Sequence, residues 1–361
     1  MINTIQIQVL PEVASTPNLL KTTISKQLDI PNPEIKHIEI LKRSIDARQK
    51  TTKINLKVAV YIKEEFVQRV EDFPEYQDVN GKDEVIIIGA GPAGLFAALK
   101  LIENGKKPIV IERGKDVRSR RRDLVNLTKK HIVNEDSNYC FGEGGAGTFS
   151  DGKLYTRSKK RGDVNKVLDV LVRHGATPEI RVNAHPHIGT NKLPKIIQAI
   201  RDTIIQYGGQ VLFDSRLTDI SIKNNAVKGV ELQNGTKIKA NKIILATGHS
   251  SRDIFELLHQ KGIAIEAKAF GQKECFEAGV KFANVEGIVP APEATHAVKG
   301  AIDEALECKK NGQKKTILFN LCGHGHFDMQ AYGDYFNNKL SDDSYNAAAV
   351  NKALEKLPKI A

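Results

Sequence analysis

The chain has 361 residues, a formal net charge of +11, 40% hydrophobic residues and four cysteines, which is length enough for two or three domains with globular cores. Cys140, Cys275, Cys308 and Cys322 lack CxxC spacing, which argues against a zinc site or a disulfide framework. No apolar run approaches the length of a membrane span and the polar N-terminus does not read as a signal peptide, so no membrane partner and a reducing cytoplasm are expected.

The basic charge is dispersed, with denser zones from Lys115 to Lys130 and from Lys153 to Arg161. Without an aromatic-studded RNA motif, a solvated face or an anionic ligand explains such zones better than nucleic acid does. Ile5, Ile7 and Val9 alternate with glutamines as in a half-buried strand. Ser15-Thr16-Pro17 starts a helix carrying Leu20, Ile24 and Leu28 on one face. Residues 35–44 and 53–62 read as two strands, so the first 73 residues form a small α+β unit. Phe73 to Asp83, polar and holding Asn80-Gly81, reads as a linker, which places the first domain at residues 1–80.

Val85 to Ile88 is short, apolar and β-branched, as a buried parallel strand requires. Gly89-Ala90-Gly91-Pro92-Ala93-Gly94 follows, then a helical stretch with Leu95, Ala98, Leu99 and Ile102, and a second strand from Pro108 to Ile111. This is the strand–glycine turn–helix–strand order of a dinucleotide site, with the helix N-terminus available to a pyrophosphate. Glu112 lies about 20 residues beyond the last glycine, where an acid holds a ribose hydroxyl. The cluster Arg118, Arg120, Arg121 and Arg122 has two readings, a solvated helix face or an anion site. A second glycine-rich stretch, Phe141 to Lys153, has neither the preceding strand nor the following helix of a dinucleotide fold, and reads as a loop laying backbone N–H groups against a ligand.

Helices follow at Val164–Leu171 and Leu193–Ile204, the latter stopped by Gly208-Gly209. His185 and His187, between them, lack an evident third ligand and read as loop structure, so no metal is expected. Val211–Phe213, Leu217–Ile222, Val227–Leu232 and Ile238 read as a β-meander, and Lys242–Thr247 as a further strand ending in Ala246-Thr247-Gly248.

This order resembles the two-dinucleotide-binding flavoproteins. Within them, residues 1–270 look like the bacterial family of FAD-dependent dehydrogenases with a small N-terminal α+β unit. The residues carrying that resemblance are Arg43 to Arg48, the turn at 89–94, the loop Phe141 to Tyr155, His187-Ile188-Gly189-Thr190 and Ala246 to Ser250. It implies FAD held by Gly89, Gly91, Pro92, Ala93, Gly94, Glu112, Arg113, Gly144, Gly145, Thr148, Thr247 and Gly248. Glu112 would hold the adenosine ribose, and Gly144-Gly145 would lie near the flavin. The substrate stays unknown, and NAD(P)H is the candidate reductant. The implied fold class is α/β: a Rossmann-like FAD-binding domain with a β-meander at 81–270, preceded by the small α+β domain and followed by a helix–strand tail at 271–361.

Such flavoproteins return to the first sheet with a loop beneath the isoalloxazine, and nothing after Phe270 does so. Residues 272–340 instead resemble the C-terminal end of tryptophan synthase β-type proteins, on Glu286 to Glu293, Thr295-His296-Ala297 and Phe319 to Gly325. The Schiff-base lysine motif and phosphate loop of that PLP-dependent family are absent. The tail reads as a helix with Val298, Ala301, Ile302, Ala305 and Leu306 in a stripe, then a strand from Thr316 to Leu321, and His324, His326 and Asp328 read as loop. The chain thus reads as a join of two unrelated pieces near Gly271. An FAD-dependent oxidoreductase lacking its flavin-closing region, with no catalytic acid or base assignable, is the leading expectation. The alternatives are a PLP-dependent lyase fragment and a non-catalytic nucleotide- or anion-binding protein.

Overall fold

A computed structural model describes residues 1–67, 73–150, 152–154, 163–263, 270–317, 319, 321 and 325–341. The chain divides into two units, Met1–Ala264 and Ile265–Ala361.

The first unit opens with β1 (Ile2–Val9), α1 (Pro11–Ser15), α2 (Pro17–Leu28), β2 (Ile35–Asp46) and β3 (Lys53–Ile62), in an antiparallel sheet of order β1-β3-β2. Alternation along β3 turns Ile54, Leu56, Val58, Val60 and Ile62 to one face, where Leu20 and Ile24 of α2 cover them. That arrangement leaves β2 as an edge strand. The expected linker from Phe73 to Asp83 is more than a tether. Tyr76 and Val79 are buried in the following core, and the Arg173 guanidinium lies 4.0 Å over the Tyr76 ring.

Next come β4 (Glu84–Ile88), α3 (Pro92–Glu103), β5 (Lys107–Ile111), α4 (Val117–Lys130), α5 (Val164–Arg173), α6 (Leu193–Gln206) and β6 (Gln210–Leu212). Then follow β7 (Leu217–Lys223), β8 (Ala226–Leu232), β9 (Lys237–Lys239), β10 (Ile243–Leu245) and α7 (Arg252–Gln260). Four strands form a parallel sheet of order β10-β4-β5-β6. Its two faces are told apart by strict alternation. Ile87 and Val110 pack with α3, α5 and α6 residues, whereas Ile86, Ile88, Ile109 and Ile111 pack with Leu217, Ile220, Val230, Leu232, Ile254 and Leu257. Burial on both faces explains why these strands are apolar throughout, and each fully buried Ile or Leu contributes roughly 1.5–3 kcal/mol.

Two expectations for this region are corrected. The strand expected at Val211–Phe213 is not part of the meander: residues 210–212 emerge from α6 and pair in parallel with β5, leaving β7, β8 and β9 as the antiparallel meander. The strand expected at Lys242–Thr247 is shorter: its ladder with β4 pairs Ile243 to Leu245 and ends at the Ala246 N–H, which donates to the Ile88 carbonyl at 2.8 Å.

The second unit holds α8 (Gln272–Glu286), α9 (Pro292–Lys310) and α10 (Met329–Phe336). Phe276 meets Tyr332 edge to face at 4.9 Å, and the Tyr332 hydroxyl donates to the Pro290 carbonyl at 2.7 Å. Burial pushes that phenol's pKa up to about 12. The expected α9 stripe is partly wrong. Val298 is buried with Ala294, Thr295 and Cys308, but Ala305 and Leu306 are exposed, since the buried face rotates away from them along the helix. Nor do Thr316, Ile317, Phe319 and Leu321 belong to a strand; Leu318, Asn320, Cys322, Gly323 and His324 lie outside the described residues.

Candidate functional site

The sheet's C-terminal edge is where β4 runs into the first glycine turn. Gly89 donates to the Ile111 carbonyl at 2.8 Å, and a Cβ there would strike the Ala246 carbonyl. At Gly94 a Cβ would strike the Gly89 carbonyl, so the first turn of α3 lies directly on the strand end. Gly91 differs: its Cβ would meet nothing nearer than the Gly145 Cα, at 3.8 Å. Gly91 is also the N-cap of α3 with Pro92 following, and no side chain caps that helix, so the N–H groups of Ala93 and Gly94 keep the positive end of the dipole free for an anion.

The second glycine-rich stretch is seated on this turn. Gly144 donates to the Ala90 carbonyl at 2.8 Å, and a Cβ at Gly145 would approach Pro92 Cδ to 3.2 Å. Three buried charges hold it there. Glu112 Oε2 accepts the Ala90 N–H at 2.8 Å, while its Oε1 accepts those of Gly114 and Gly142 at 2.9 Å each. Arg120, 1% exposed, donates to the carbonyls of Asn138, Tyr139, Gly142, Glu143 and Gly145 and to Thr148 Oγ1, at 2.8–3.2 Å. Glu143 is fully buried; its Oε2 accepts from the Val117 N–H at 2.7 Å and from Arg201 at 3.0 Å. Its Oε1 has no hydrogen-bond partner, and burial raises the carboxyl's pKa above the usual glutamate value.

The expected site residues therefore separate by task. Gly89, Gly91, Pro92, Ala93, Gly94, Gly144 and Gly145 form the two apposed turns, and Thr247-Gly248 follows the Ala246 carbonyl that crowds Gly89. Glu112 clasps one turn to the other. Thr148 is buried with its hydroxyl bonded to Arg120 and to the loop's own carbonyls. Arg113 stacks 4.3 Å over Phe141 and is paired with Asp136 and Asp253. The arginine cluster divides: Arg118, Arg121 and Arg122 are exposed, and only Arg120 turns inward, to carbonyls rather than to an anion. Nothing in the sequence singled out Glu143 and Arg201 as supports of the loop, or Arg120 from its three neighbours as the buried one. Asp151 and residues 155–162 of the loop and basic zone lie outside the described residues, and among the described residues no cluster of His, Cys, Asp or Glu is arranged for a metal.

Residues 83–275, just over half the chain, match the model of the pyridine nucleotide-disulphide oxidoreductases. The chain belongs to that family. Residues 1–61 match a family described as a domain of unknown function. An uncharacterized protein of Clostridium beijerinckii is 40% identical over 268 residues, 70% of this chain and 50% of that protein. The tryptophan synthase beta chain 2 of Methanosarcina mazei is 55% identical over 92 residues, 26% of this chain and 21% of that protein. The chain thus spans half the length of the first relative and about a fifth of the second. Among solved structures, L-proline dehydrogenase from P. horikoshii aligns over 52% of this chain and 58% of its own at 19% identity, with a TM-score of 0.28.

The two-piece resemblance therefore has a counterpart in both groups of relatives. Cys140 stands exposed in the loop clasped by Arg120, whereas Cys275 and Cys308 are buried in the second unit. No helix among the described residues is long and apolar enough to cross a membrane.

Proposed function

We infer that this chain is the nucleotide-binding part of an FAD-dependent oxidoreductase, with FAD seated where the Gly89–Gly94 turn faces Gly144-Gly145. The side-chain-free start of α3 at Gly91, bordered by Gly89 and Gly94 where a Cβ would strike backbone, carries this reading. A pyrophosphate needs close backbone approach at that one position and rigid walls on either side. The N–H groups at the start of α3 would receive it, and Glu112 would present the one lone pair left on Oε2 to the adenosine ribose while clasping the loop. When bound, the flavin supplies hydride transfer, and the protein supplies binding, orientation and exclusion of water.

A small-molecule substrate, NAD(P)H as reductant and a cytoplasmic setting complete the proposal. The PLP-lyase alternative gains no support from a tail without the Schiff-base lysine motif. Titration of the purified chain with FAD, followed by flavin fluorescence, tests the reading: saturable one-to-one binding is expected. Absence of flavin binding, with nucleic acid bound in a steeply salt-dependent way, would favour the non-catalytic anion-binding alternative instead.

A further inference from the structure

The glycine-rich loop is held at its entry by Glu112 and Arg120, and its exit hangs on a second set of hydrogen bonds leading back to the N-terminal unit. At the edge of the first sheet, the Arg43 N–H donates to the Val182 carbonyl and the Arg43 carbonyl accepts from the Ala184 N–H, both at 2.8 Å. Arg43 Nε adds a bond to Asn183 Oδ1 at 3.0 Å. The segment 182–184 is thus a short parallel addition to β2. Immediately after it, the Leu154 N–H donates to the Pro186 carbonyl at 2.9 Å and the Ile188 N–H donates to the Gly152 carbonyl at 3.0 Å. Ile188 is buried there, and a Cβ on Gly152 would approach Ile188 Cβ to 3.2 Å. One continuous run of backbone bonds therefore joins the edge of the N-terminal sheet to the end of the loop that seats on Gly91.

We propose that residues 1–62 act as a positioning clamp for the nucleotide site, with Arg43 the residue through which they fix the loop exit. An edge strand's unpaired N–H and C=O groups bind whatever extended segment is presented, and here the guest is an internal segment beside the ligand loop. Holding that loop beforehand removes an ordering cost that a ligand would otherwise meet on binding. The proposal rests on the flavin reading, which puts Gly144-Gly145 on the flavin side. The clamp should accordingly strengthen FAD binding more than binding of ADP, which lacks the flavin end.

The test compares two proline substitutions in the full chain. Arg43→Pro deletes the N–H given to Val182. Ile45→Pro lies two residues along the same outward edge, where the side chain is 72% exposed and no guest segment among the described residues pairs with it. Proline is tolerated at such edge positions. Arg43→Pro should weaken FAD by about tenfold, inside the roughly 5–150-fold range of intersite coupling, with ADP affinity within about twofold of wild type. Ile45→Pro should leave both unchanged.

Linkage requires the reciprocal effect, so in the unaltered chain FAD should slow hydrogen exchange at the Ala184 amide. That measurement decides the matter even if Arg43→Pro fails to fold. Equal FAD affinity in the two variants, or exchange at Ala184 unmoved by FAD while exchange at Gly144 to Gly147 slows, overturns the clamp. A wild-type chain that takes up no FAD overturns the flavin reading, a result distinct from either.

Discussion

The Glu112 carboxylate accepts the Ala90 N–H at 2.8 Å, so the acid that follows the second strand reaches back to the middle of the first glycine turn. Its other oxygen accepts from Gly142, which makes one side chain common to both glycine-rich segments. In Glu112→Gln one amide oxygen remains for three N–H donors, and the amide N–H₂ must face donors. The lost charged hydrogen bonds should cost about 1–3 kcal/mol, read as a lower Tm and as weaker FAD in titration. If both quantities match wild type, Glu112 is not the clasp.

Gly91 and Gly94 should respond differently to the same methyl group. Gly94→Ala drives a Cβ into the Gly89 carbonyl and against Ile87 Cγ2, at 3.3 Å, so α3 must lift from the strand. Overpacking of that kind costs at least about 1–3 kcal/mol. Gly91→Ala meets only Gly145 Cα, at 3.8 Å, and should cost the fold under about 1 kcal/mol as an N-cap exchange. It should nevertheless abolish tight flavin binding, because the methyl occupies the pyrophosphate's approach. Urea unfolding beside FAD titration separates the effects, and intact FAD affinity in Gly91→Ala would remove the turn from the site.

Arg120 is tested by a substitution that keeps its charge. Lysine has three donors on one nitrogen and cannot reach carbonyls from Asn138 to Gly145 together with Thr148. Arg120→Lys should destabilise the chain by at least about 2–3 kcal/mol, and Thr148→Val, which removes one acceptor, by about 1–2 kcal/mol. An Arg120→Lys unfolding midpoint equal to that of wild type would show that the loop does not depend on the guanidinium fork.

His174 sets a pH dependence. Its Nδ1 lies 2.6 Å from the Val170 carbonyl and its Nε2 3.1 Å from Thr203 Oγ1, so the neutral ring donates from Nδ1 and accepts at Nε2. Burial holds its pKa below the usual histidine value. The unfolded chain therefore binds the proton more readily, and the stability contributed at neutral pH is lost as pH falls through the unfolded value of about 6.5 toward the lower folded one. His174→Gln should flatten that part of the stability–pH curve between about pH 7 and 5; an identical slope in the variant would exclude His174 as its source.

Features with local causes were legible in the residues themselves. Val85 to Ile88, the glycines at 89–94 and the Leu95–Ile102 periodicity specify a strand, a turn and a helix through steric rules that act over a few residues. The α9 helix followed from the same periodicity, but which side of it is buried did not, because Leu306 and Val298 are equally apolar and only packing distinguishes them.

Tertiary structure decided the rest. Whether residues 210–212 join the meander or the parallel sheet depends on where α6 delivers them. Arg120 sits among four arginines with nothing in their spacing to single it out; the helix phase and the arrival of carbonyls 18–25 residues later make it the buried one. Arg43 and Asn183 are 140 residues apart, and nothing in either segment announces the other. Local sterics are written in neighbouring residues, whereas partners for buried charges and edge strands exist only once distant segments have been brought together.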